Sequence, residues 1–116
     1  MLCFAKNWLV DWLGEEGFEF EIDYVWPLSG GKFDDKLLTK EYDLILFDLY
    51  PGKGEVISDF YRRSSPSQRK KMVLVGTERD KLRSSGFIGK LLQCPMVKAQ
   101  SWSTQEAVDF LRDFLT

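Results

Sequence analysis

A chain of 116 residues, 44% of them apolar and four of them Trp, is long enough to build one domain with a real core, and its composition excludes a disordered protein. It contains no histidine, which excludes His-ligated zinc, Ser-His and Cys-His nucleophilic pairs and His general bases. The net charge of −2 hides a split: residues 1–60 hold 13 acids and 5 bases, residues 61–116 hold 5 acids and 11 bases.

Such a split suits a polar protein partner or head-to-tail contact between two copies. Chance differences between solvated faces are the plain alternative. Cys3 and Cys94 lie far apart without ligand spacing. They cannot make a structural zinc site and read as thiols of a reducing compartment. The first residues lack the basic, apolar and small-residue segments of a secretory signal, and no apolar run approaches 18 residues. The expectation is a cytoplasmic protein with no membrane contact.

Along the chain, Leu2, Ala5, Trp8, Leu9, Trp12 and Leu13 recur at helical spacing and predict an amphipathic helix over 2–13. Gly14 and Gly17 stop it. Phe4 and Val10 fall off this stripe, so they are the candidate residues of a partner surface. Phe18 to Tyr24 alternates apolar and acidic residues, the pattern of a half-buried edge strand. Gly31-Lys32 invites comparison with a phosphate loop. The comparison fails, because Phe33 stands where Ser or Thr is needed and Trp26 where the first Gly is needed.

Phe33 to Lys40 predicts a short helix with Phe33, Leu37 and Leu38 inward. Leu44 to Phe47 is an unbroken apolar run between an Asp and a Pro/Gly turn, which predicts a strand buried on both faces. Val56, Ile57, Phe60 and Tyr61 give the next helical stripe. It leads into Arg62, Arg63, Arg69, Lys70 and Lys71 around a Ser/Pro turn. No aromatic interleaves these bases, and a solvated connection explains them better than nucleic acid does. Met72–Val75 predicts a second buried strand, 80–93 a weak helix broken by Gly86 and Gly89, and Met96–Lys98 a short third strand. Ser103 to Glu106 is a capping box that opens a last helix burying Ala107, Phe110, Leu111, Phe114 and Leu115.

Alternating strands and helices predict an α/β three-layer sandwich on a parallel sheet. Ligands and chemistry in such sheets gather at the carboxyl ends of the strands. Three strand ends offer Asp48, Thr77 and Lys98. A carboxylate, a hydroxyl and an ammonium there can serve phosphoryl transfer, the carboxylate as nucleophile and the other two stabilising oxyanions.

With Asp43-Leu44-Ile45-Leu46-Phe47-Asp48 followed by Pro51 and Gly54, the chain resembles the receiver domains of bacterial response regulators. The resemblance covers nearly the whole chain as one domain. It implies a flavodoxin-like sheet and a place in two-component signal transduction. It also implies a phospho-acceptor at Asp48, a switch hydroxyl at Thr77 (Gly76 in the strict register) and the family lysine at Lys98.

The departures bear on function. The family's first strand ends in two adjacent acids that hold magnesium. Here those acids fall at or before Met1, or, if Met1 to Ala5 is a short first strand, at Lys6-Asn7. Magnesium wants octahedral oxygen ligands with carboxylate charge. Asp48 alone is a poor metal site, and in-line transfer without the metal loses much of its electrostatic stabilisation. The loop from Asp48 to Pro51 is one residue short, the proline after the family lysine is Ala99, and the aromatic switch position is Pro95.

The expected protein is therefore a pseudo-receiver with a reduced or missing first strand. It would be a non-catalytic protein-interaction module without cofactor or metal, binding a protein partner or a second copy and no nucleic acid. The alternatives are a working phospho-acceptor at Asp48 that draws metal ligands from Asp23 or Asp43, and a small flavodoxin-like protein binding a nucleotide or flavin.

Overall fold

The computed structural model describes residues 1–4, 11, 14–15, 17, 21–25, 33–48, 54–76, 90–98 and 102–115. Its strands are β1 (Leu2–Phe4), β2 (Asp23–Val25), β3 (Ile45–Asp48), β4 (Met72–Gly76) and β5 (Met96–Lys98). Its helices are α1 (Gly54–Arg63), α2 (Pro66–Arg69) and α3 (Thr104–Leu115), with 3-10 turns at Asp35–Leu38 and Leu91–Gln93. The five strands form one parallel sheet in the order β2-β1-β3-β4-β5.

Successive residues of the strands alternate between two cores, one on each face of the sheet, as a pleated sheet requires. Leu2, Phe4, Ile45, Phe47, Met72 and Leu74 face one core, which α1 closes with Val56, Ile57 and Phe60. Leu44, Leu46, Val73, Val75 and Val97 face the other, which α3 closes with Ala107 and Leu111. Both faces of β3 and β4 are thus covered, which explains their continuous apolar runs. Four phenylalanines organise the α1 side. Phe60 meets Phe4 at 4.8 Å, Phe33 at 5.1 Å and Phe47 at 6.1 Å between ring centroids, and Phe4 meets Phe47 at 4.9 Å. Edge-on and tilted contacts of this kind add to the gain from burial, which is about 1.5–3 kcal/mol per buried phenylalanine.

The expectation of a helix starting at Leu2 is wrong for residues 2–4. β1 lies in the middle of the sheet, pairing Leu2, Cys3 and Phe4 with residues 23–25 on one side and 45–47 on the other. β2 and β3 therefore do not pair directly, and the first strand is short, not missing. Phe4 is fully buried, so it is a core residue and no candidate for a partner surface. Helical backbone occurs later, at Asp11, Gly14 and Glu15. Gly17 has φ +89, a left-handed conformation in which a side chain would be strained. Val10 lies outside the described residues.

The other elements fall near their expected places. β2 is an edge strand as expected, but the described strand starts at Asp23, and residues 18–20 lie outside the description. Phe33, Leu37 and Leu38 are half-buried against the core. The helix expected over 80–93 is described only from Lys90, as the 3-10 turn. The capping box forms: Glu106 N donates to Ser103 Oγ at 3.2 Å and Ser103 N to Glu106 Oε1 at 3.4 Å.

Candidate functional site at the carboxyl edge of the sheet

In an all-parallel sheet every strand ends on the same edge. Asp48 is the last residue of β3 and sits level with Val75 of β4. Lys98 is the last residue of β5 and sits level with Gly76. β4 runs between them, so about 10 Å of backbone separates the two positions at ordinary strand spacing. Thr77 follows Gly76, the last residue of β4. The side chains of Asp48 and Lys98, and Thr77 as a whole, lie outside the described residues. A direct Asp48–Lys98 contact lies outside them too.

β1 contributes to the same edge. Its last residue, Phe4, is level with Phe47, one residue before Asp48. The chain then continues Ala5-Lys6-Asn7, and no carboxylate follows Phe4 until Asp11. Among the described residues no group of three or more acids or cysteines is arranged to hold a metal ion.

The basic stretch beyond α1 resolves into structural and exposed members. Arg63 Nη2 pairs with Asp35 at 2.9 Å, and its guanidinium lies 5.2 Å from the Phe33 ring centre. Arg69 donates Nε to Tyr61 O at 3.0 Å and Nη2 to Arg62 O at 2.8 Å, and its guanidinium stacks on Tyr61. It thereby satisfies carbonyls that the end of α1 leaves open. Ser64 Oγ does the same for Phe60 O at 2.6 Å. Arg62, Lys70 and Lys71 remain exposed and make no ion pair with a described residue.

The opposite, amino-end edge carries a feature that sequence reading missed. A pocket of about 290 Å³ opens among Glu21, Asp23, Lys40, Glu41, Tyr42 and Asp43. Lys40 Nζ at 2.6 Å and Tyr42 OH at 2.7 Å both donate to Oδ2 of Asp23. These bonds, the one from Lys40 first, hold the Asp23 carboxyl below its usual range. Burial, and then the bond to Asp23, push the Tyr42 phenol up. The only hint in the sequence was the acid density of its first half.

No family model, no curated protein and no solved structure matches the chain.

Proposed function

We propose that this chain is a non-catalytic signalling module of receiver-like, flavodoxin-like three-layer fold. It acts by binding a protein partner, and Asp48 does not accept phosphate. The observation that carries the reading is the end of β1. Phe4 is level with Phe47, one residue before Asp48, and the next residues in sequence are Ala5, Lys6 and Asn7. The sequence thus supplies no carboxylate in the three residues after β1, whereas metal-dependent phosphoryl transfer in a receiver-like fold needs two there.

The fold part of the reading is supported by the strand order β2-β1-β3-β4-β5, the flavodoxin-like order of doubly wound sheets. Cores on both faces of that sheet agree with it. An acidic residue at the end of β3 and a lysine at the end of β5 are what a receiver scaffold would retain after losing its metal.

The test is incubation with acetyl phosphate and magnesium followed by intact-mass measurement. The unmodified mass is expected. A gain of one phosphate that disappears in Asp48→Asn overturns the reading. Among the described residues no helix is long and apolar enough to cross a membrane.

A further inference from the structure

The amino-end rim of the sheet is ordered by charge. Its members come from four separate stretches of chain, and the backbone fixes them side by side. Asp23 N bonds to Met1 O at 3.0 Å, Leu2 N to Leu44 O at 3.0 Å and Ile45 N to Lys71 O at 2.9 Å. Tyr42 N donates to Gln68 Oε1 at 3.1 Å, which ties the segment before β3 to α2. Following the sheet from β2 to β4 along this rim, the residues leading into the strands are Glu21 and Asp23, then Glu41 and Asp43, then Lys70 and Lys71. Arg62 joins the basic end, because Arg69 of α2 holds its carbonyl. Among the described residues two cations sit at the acidic end: Lys40, bonded to Asp23, and the Met1 amino group just before β1, which donates to Glu21 O at 2.8 Å. Glu21, Asp23, Glu41 and Asp43 outnumber them.

The charged groups are available. Glu21, Glu41, Asp43, Arg62, Lys70 and Lys71 are all exposed. None of them forms an ion pair with a described residue. The rim is therefore acidic at one end and basic at the other, over three strand spacings or about 15 Å.

A surface of this kind is complementary to itself. If two copies meet rim to rim about a two-fold axis, the acidic end of each faces the basic end of the other, and the charge match is made twice. A partner of uniform charge would match one end and repel the other. We propose that this rim is a self-association surface, on which Glu41 and Asp43 of one copy meet Lys70 and Lys71 of a second. The contact is polar, with Tyr42 buried beneath it, so it is weak, fast and controlled by salt. The inference goes beyond the proposed function, because it names a surface and an occupant and stands whether or not Asp48 takes phosphate.

Sedimentation velocity at high micromolar concentration decides it. The wild-type protein is expected to dimerise at about 0.01 M salt, where charges act over about 30 Å, and to dissociate at about 1 M, where they act over about 3 Å. The dimerisation Kd should rise at least about tenfold between the two conditions. Lys70→Glu/Lys71→Glu should be monomeric at low salt, and so should Glu41→Lys/Asp43→Lys. An equimolar mixture of the two should form a heterodimer with charges exchanged. The neutral pair Lys70→Ala/Lys71→Ala, with circular dichroism of every variant, covers the case in which a reversal disturbs folding. A wild-type monomer at low salt overturns the proposal, as does a dimer indifferent to salt, to both reversals or to the neutral pair. Reversal variants that fold but fail to associate on mixing overturn it as well.

Discussion

Replacing Phe4 by Ala separates a core strand from a surface helix at the start of the chain. Phe4 is fully buried, and its ring meets Phe47 at 4.9 Å and Phe60 at 4.8 Å. Truncating a buried phenylalanine costs about 3–5 kcal/mol in lost transfer energy and cavity. Two ring contacts of about 0.5–1.5 kcal/mol each place Phe4→Ala in the upper half of that range, about 4–5 kcal/mol. A domain of this length has a total stability of about 6–17 kcal/mol, so the variant keeps its fold with a much lower urea midpoint. Phe4→Leu keeps most of the volume and should cost about 1.5 kcal/mol. Urea unfolding followed by far-UV circular dichroism measures both. On an exposed helix either change would stay within about 0.5 kcal/mol. A loss below about 1 kcal/mol for Phe4→Ala would show that β1 does not sit at the centre of the sheet.

Substitutions at three further positions test features of the same fold. Ser58 Oγ is buried and finds no hydrogen-bond partner among the described residues, so Ser58→Ala should raise stability by about 1 kcal/mol through relief of that desolvation and better helix propensity. A loss of stability in the urea curve would reveal a partner for the hydroxyl. Ser103→Ala removes the cap of α3 and should cost about 1 kcal/mol, whereas Ser103→Asp should restore it; equal melting temperatures for all three proteins would contradict the capping bonds. The Asp23 carboxyl is held below its unfolded value of about 3.9, so its contribution is present above that pH and is lost as the pH falls through the lower, folded value. The stability gap between wild type and Asp23→Asn should therefore be open at neutral pH and close at the acid end of a pH series of urea curves. A gap that persists unchanged at the lowest pH would rule out ionised Asp23 as its source.

What could be read before folding depended on length and on sequence distance. β3 and β4 announce themselves, because strands buried on both faces leave unbroken apolar runs such as Leu44 to Phe47 and Met72 to Val75. The α3 cap is local chemistry between Ser103 and Glu106 and was equally legible. β1 was not. Three residues are too few to display a period of two, and Leu2, Ala5, Trp8 and Leu9 also satisfy helical spacing. The uninterrupted apolar run Met1 to Ala5 was the contrary signal, since an exposed helical face would break it. At the candidate site, the strand-end positions of Asp48 and Lys98 were legible as the last residues of apolar runs. The charge order of the amino-end rim was not, because parallel crossovers assemble it from residues near 21, 43 and 70.

The brevity and central place of β1 also shape how the chain is made. Leu2–Phe4 is the first of the described strands to leave the ribosome, yet its partners are residues 23–25 and 45–47. At about 5–20 residues per second, roughly 2–9 s pass before β3 exists to receive it. Throughout that time Leu2 and Phe4 have no sheet face to bury, and both backbone edges of a central strand stay open to other chains. Substitutions that weaken the β1–β3 pairing should therefore lower the yield of soluble protein during synthesis more than they lower the melting temperature of the molecules that finish folding.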